Sequence, residues 1–209
     1  MMRRVLLVGG ILLVLAITLT HIERRPIRAQ EPPAQPAEAH DPDVIFVPTP
    51  EDVVLRMLEI AGVKKEDVLY DLGCGDGRIV VTAAQKYGCR AWGFDVDPER
   101  IKESLENVKN GKVENLVTIE QKNIFELDLT PASVVTLYLL PELNVRLIPQ
   151  LEKLKPGSRI VSHEFDMAGC KPDKVVTMRS QEDETDHDIY LWTIPFKKEE
   201  VKDDGKEEE

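Results

Sequence analysis

The sequence is short of positive charge. It sets 27 Lys and Arg against 38 Asp and Glu, for a formal net charge of −11. Nearly all of that excess sits in residues 41–196, because the N-terminal forty residues are slightly basic. Such a domain repels a phosphate backbone, which argues against nucleic acid and favours a Lys- or Arg-bearing protein surface as partner. Cysteine is scarce too. Cys74, Cys89 and Cys170 are widely spaced and form no C-x-x-C pair. A disulfide framework and a zinc knuckle are therefore not indicated, and so few, scattered cysteines, odd in number, fit a reducing compartment. The run His163-Glu-Phe-Asp-Met167 is not H-E-x-x-H, so no metal site is read from it.

Long apolar runs are also missing, with one exception. Val5–Leu19 is apolar apart from Thr18, and Arg3 and Arg4 precede it. As a helix it covers about 22 Å, against about 30 Å of bilayer hydrocarbon. Arg24 and Arg25 lie between it and Ala29, and Ile27 spoils a small-residue cleavage site there. Residues 1–25 are therefore expected to be an uncleaved signal anchor, the alternative being a signal peptide and export. Arginines flank both sides, so charge alone does not set orientation. The folded domain is expected on the cytoplasmic side of the membrane. Residues 26–43, rich in Pro, Ala and Gln, read as a disordered tether, 44–196 as the folded domain and 197–209 as a disordered charged tail.

Between these ends, strand-like and helix-like segments alternate. Helices are expected over 51–61, 78–87, 98–110 and 143–154, and strands over 68–72, 91–94, 116–120, 134–140 and 159–162. The order predicts a mostly parallel sheet with helices on both faces. Segments 174–179 and 189–195 have no helix between them and read as an antiparallel hairpin closing the sheet.

Within that pattern stands Asp71-Leu-Gly-Cys-Gly-Asp-Gly-Arg78, after the first core strand and before a helix. In open α/β sheets the ligand lies beyond the carboxyl ends of the strands. Gly73, Gly75 and Gly77 let backbone approach a ligand closely. The dinucleotide fingerprint needs its third glycine at 78, where Arg78 stands, and no Gly-Lys-Ser/Thr follows to make a phosphate loop. Asp95 ends the second strand, twenty residues beyond Gly75, where a carboxylate accepts from both ribose hydroxyls. Asp71 adds negative charge, which disfavours phosphate and favours a cation. An adenosine bearing a sulfonium and an amino group, S-adenosylmethionine, meets these conditions.

The segments DLGCGDGR and GFDVDP (93–98) resemble the class I S-adenosylmethionine-dependent methyltransferases, whose Rossmann-like fold has a seven-stranded sheet. The resemblance implies that Asp71, Gly73, Cys74, Gly75, Gly77, Asp95 and Val96 bind the cofactor, with Asn123 and Ile124 at the adenine. FVPTP (46–50) and residues 137–165 further resemble the Dot1-like and ATP-synthase-subunit lysine methyltransferases. That likeness implies a Thr49 contact to the cofactor and a protein lysine as acceptor. A small or lipid-like acceptor, or a non-catalytic cofactor-binding scaffold, are the alternatives. Tyr138, His163 and Glu164 fall at strand ends beside the expected site: Tyr138 as a wall of the methyl channel, His163 as base or orienting donor, Glu164 as an acid orienting the amine.

Overall fold

The computed structural model describes residues 46–198. The expected anchor and tether lie outside the described residues, as does the charged tail beyond Lys198. Among the described residues, no helix is long and apolar enough to cross a membrane.

Helix α1 (Glu51–Ile60) leads into β1 (Val68–Leu72), α2 (Arg78–Tyr87), β2 (Arg90–Asp95), α3 (Pro98–Asn110) and β3 (Val117–Gln121). A single 3-10 turn (Ile124–Glu126) follows, then β4 (Val134–Leu137), α4 (Pro141–Leu151) and β5 (Arg159–His163). The chain ends with β6 (Cys170–Lys171), β7 (Lys174–Arg179), β8 (Asp186–Thr193) and β9 (Lys197–Lys198). Seven strands form one sheet in the order β3-β2-β1-β4-β5-β8-β7. The first five are parallel, and β8 inserts antiparallel between β5 and β7. The expected hairpin is thus present, with its second strand interior and its first at the edge.

The central strands are apolar because both sheet faces are covered. Alternation sends Leu69, Val134 and Val161 into a layer with α1, α2 and α3. Tyr70, Leu72, Val135 and Ile160 face the opposite layer with Leu147 and Leu151 of α4. Each fully buried Leu, Ile or Val stabilises the fold by roughly 1.5–3 kcal/mol relative to exposure.

Several boundaries differ from expectation. Strand β4 stops at Leu137; the apolar residues Tyr138–Leu140 line a cavity instead. Helix α4 begins at Pro141, whose fixed φ suits a first helical position. Strand β8 begins three residues early, at Asp186, because its acids point outward while His187 points in. Lys197–Lys198, assigned by composition to the tail, pair with Cys170–Lys171.

The polar loop between β7 and β8 does more than reverse the chain. Glu182 accepts from the Glu51 N–H at the start of α1 (2.7 Å), which satisfies an otherwise open helix N-terminus. Asp52 accepts in turn from Ser180 Oγ and the Gln181 N–H (2.9 and 2.7 Å). This holds α1, and the segment before it, at the carboxyl end of the sheet.

Candidate active site at the carboxyl end of the sheet

The loop after β1 is sewn to the end of β2. The Gly73 and Cys74 N–H groups both donate to the Phe94 carbonyl at 2.9 Å. The Gly75 N–H donates to Asp95 Oδ2 at 2.9 Å, and the Asp97 N–H to Asp95 Oδ1 at 3.0 Å. The Asp95 carboxylate is therefore fixed in place while each oxygen keeps a lone pair for a ligand. Two glycines are required by their neighbours. Gly75 has φ +54°, and a Cβ there would run into the Phe46 ring. Gly77, at φ +77°, opens α2 where a Cβ would stand 2.8 Å from Ser104 Cβ of α3.

A cavity of about 550 Å³ opens above this loop. Among its lining residues are Thr49, Asp71, Gly73, Cys74, Asp95, Val96, Asn123, Ile124 and Tyr138. Gly75 and Gly77 support it from the loop. Nine of the thirteen expected residues therefore meet in one space, drawn from the segment before α1 and the ends of β1, β2, β3 and β4.

Asp71 is the least comfortable group in it. It is 2% exposed; Thr136 Oγ1 donates to its Oδ1 at 2.6 Å, and its Oδ2 has no partner. Burial pushes its pKa up to about 7, opposed by the Thr136 hydrogen bond. An unpaired buried carboxylate oxygen is costly, and a ligand ammonium removes that cost. Burial likewise pushes the Cys74 thiol well above its ordinary value, so it lines the cavity as a small apolar group.

Asn123 lines the cavity with its amide already engaged. Its Oδ1 accepts from the Phe125 N–H and its Nδ2 donates to Glu126, both at 3.1 Å. It caps the 3-10 turn and so positions Ile124 and Phe125. Arg146 lies 3.7 Å from the Phe125 ring centre, extending the apolar slot with a stacked cation.

His163 and Glu164 do not line the cavity. His163 is buried behind Tyr138, with ring centres 4.1 Å apart, and reaches the cavity only through Thr49, whose hydroxyl lies 3.1 Å from Nδ1. Burial, aided by His187, lowers its pKa to about 4. So weak a proton acceptor orients its neighbours and is a poor base. Glu164 turns away toward His187. Burial raises the Tyr138 pKa, so its phenol stays protonated.

Several working residues escaped the sequence reading. Arg78 grips Asp76 with Nε and Nη2 (2.7–3.1 Å) and donates from Nη1 to the Thr49 carbonyl at 2.8 Å, strapping the VPTP segment over the loop. Its misfit to the dinucleotide pattern was the available signal. Phe46 covers Gly75 under the Arg100 guanidinium, 4.8 Å from the ring centre. Buried Asn144 on α4 donates to the Phe165 and Asp166 carbonyls (3.3 and 3.1 Å), which holds Phe165 in the cavity wall.

The groups present fit S-adenosylmethionine: Asp95 to accept from the ribose, the unpaired Asp71 oxygen to accept from the amino group, and an apolar slot by Ile124 for the base. Similarity to known proteins agrees. The family model described as the ANTKMT methyltransferase domain matches residues 71–174. A protein-lysine N-methyltransferase of Saccharolobus islandicus is 47% identical over 155 residues, spanning 73% of this chain and 95% of that protein. A solved structure of an RNA methyltransferase from Salinibacter ruber, in complex with S-adenosyl-L-homocysteine, is 48% identical. It superposes with a TM-score of 0.66, covering 76% of this chain and 98% of the other. A ribosomal protein L11 methyltransferase of Alkaliphilus oremlandii is 29% identical over 117 residues, which span 56% of this chain and 36% of that protein. Sheet order, glycine loop, fixed carboxylate and this degree of identity together establish that the chain belongs to the class I S-adenosylmethionine-dependent methyltransferases.

Proposed function

We propose that the enzyme methylates the side-chain amine of lysine in a protein. Two relatives of nearly equal identity carry different acceptors in their names, one a protein lysine and one RNA. Similarity alone therefore does not choose, and electrostatics does. The observation that carries the reading is the acidic charge of the folded domain, which repels a phosphate backbone and attracts a lysine-bearing surface.

The cavity suits that acceptor. Part of its wall is made by Tyr138, Leu139, Leu140, Leu143 and Phe165. Tyr138 and Phe165 lie nearly parallel, with ring centres 6.1 Å apart. An apolar and aromatic wall fits the alkyl stem of lysine and guides its amine inward. S-adenosylmethionine, when bound, supplies a methyl group on a sulfonium that is its own leaving group. Asp95 and the unpaired Asp71 oxygen hold the donor at its two polar ends. The strap from Phe46 to Thr49, locked by Arg78, covers the loop and excludes water, so alignment carries much of the rate. The amine must arrive neutral. No strong base lines the cavity among the described residues, so its proton passes to water.

The test is transfer of labelled methyl to a lysine-rich protein and to RNA offered together. The reading expects protease-sensitive label that survives nuclease and appears as methyl-lysine on hydrolysis. Label in RNA overturns it. Transfer only to a lipid extract supports the small-acceptor alternative, and product binding without any transfer supports a scaffold. Membrane attachment through Val5–Leu19, with the domain on the cytoplasmic side, is a further part of the proposal. It predicts that the full chain pellets with membranes and is digested by protease added to the cytoplasmic face. A soluble exported form contradicts it.

A further inference from the structure

Beside the cavity, on the α1 side of the sheet, the ends of β5 and β8 bring three ligand atoms together. His163 Nε2 and His187 Nδ1 are 2.9 Å apart. Glu164 Oε1 lies 2.8 Å from His187 Nδ1 and 3.4 Å from His163 Nε2. Ligands at 2.0–2.2 Å from one ion stand roughly 3.3–3.6 Å apart around a tetrahedral centre and roughly 2.8–3.1 Å apart around an octahedral one. The three observed separations fall in or next to these ranges. Both histidines are almost fully buried, and Glu164, partly exposed, leaves a way in.

His187 Nε2 faces the Asp183 carboxylate at 3.1–3.2 Å and Thr185 Oγ1 at 2.9 Å, so in the neutral ring a proton held on Nε2 leaves a lone pair on Nδ1 to ligate an ion. That lone pair points at a carboxylate oxygen and at a second imidazole. One cation bridges all three contacts. The outer ring nitrogens are held as metal-bound histidines require: His187 by Asp183 and His163 by the Thr49 hydroxyl. Glu164 sits at φ +62°, a left-handed conformation rare for glutamate. Its N–H donates to the Asp188 carbonyl at 2.7 Å, and the strained backbone aims the carboxylate back at the two rings.

We propose that His163, His187 and Glu164 bind one divalent transition-metal ion of the zinc class, outside the methyl-transfer cavity. The ion would tie the end of β5 to the start of β8 and, through His163, set Thr49 and the strap over the glycine loop. It takes no part in methyl transfer. The sequence hid this site because its histidines are twenty-four residues apart, on different strands, rather than on one helix.

The test uses the full chain stripped with chelator, then titrated with Zn²⁺ or Co²⁺. The proposal expects one ion per chain, a raised melting temperature, and the visible absorption of Co²⁺ in a site with imidazole ligands. In His187→Gln, affinity should fall by about 100-fold or more, beyond the loss typical of outer-shell partners. Glu164→Gln, at a partly exposed position, provides the same readout if His187→Gln fails to fold. Both variants should still bind S-adenosylhomocysteine. Absence of uptake overturns the proposal, as does equal uptake by the wild type and both variants, since the ion would then sit elsewhere on this acidic chain.

Discussion

The carboxyl end of the sheet carries two polar centres built in opposite ways. The glycine loop and Asp95 form a centre of backbone and one fixed carboxylate, almost all within residues 71–97. The His163–His187–Glu164 cluster is made of side chains gathered from the end of β5, the residue after it and the start of β8, with Thr49 joining it to the first centre. The first is short-range in sequence and can be read from spacing. The second exists only after β8 has inserted between β5 and β7. Local motifs specify ligand-binding backbone, whereas long-range pairing specifies side-chain clusters.

The comparison can be broken by showing that damage to one centre harms the other. The largest effect is expected from Asp95→Ala. It removes both the ribose acceptors and the anchor of the Gly75 N–H, and charge-assisted hydrogen bonds contribute roughly 1.5–3 kcal/mol each. S-adenosylhomocysteine should bind about 100-fold more weakly or worse by calorimetry. Unchanged affinity would reduce Asp95 to a structural anchor.

Gly75→Ala comes next. Left-handed strain and collision with Phe46 should destabilise the fold by about 1–3 kcal/mol, read in denaturant unfolding. A neutral result would mean that the strap over the loop is loose.

A pH series sharpens the first centre. The Asp71 pKa, raised to about 7, leaves the group increasingly protonated as pH falls, and a neutral acid does not attract an ammonium. Affinity for S-adenosylhomocysteine should therefore be full above pH 8 and fall about tenfold by pH 6, with proton release on binding near neutrality. Asp71→Asn should bind more weakly at high pH and lose that dependence. Persistence of the slope in the variant would assign it to another group.

Arg78→Lys should be mildest. It loses the forked grip on Asp76 and the bond to the Thr49 carbonyl but keeps the charge. KM for the cofactor should rise several-fold while kcat changes little, since the strap loosens without moving the acceptor wall. A pure kcat loss would place Arg78 in the chemistry instead.

Most of the fold was legible in the sequence because buried parallel strands and amphipathic helices leave strong patterns. Gly88 and Pro98 mark helix ends by their own geometry. Boundaries failed where apolar residues serve a cavity instead of the sheet, as at Tyr138–Leu140. They failed also where polar residues alternate along a strand, as at Asp186–Asp188. The cofactor side was legible because Gly75 and Asp95 must meet. Phe46, Arg78 and Asn144 act through contacts 21 to 29 residues away or across the strap, and no local pattern announces them.

The most direct test of the central claim is a crystal structure of the enzyme with S-adenosylhomocysteine. The account predicts both ribose hydroxyls on the Asp95 carboxylate, the amino group against Asp71 Oδ2, and the base in the slot by Ile124. A ligand seated elsewhere, or with its amino end turned away from Asp71, would contradict it.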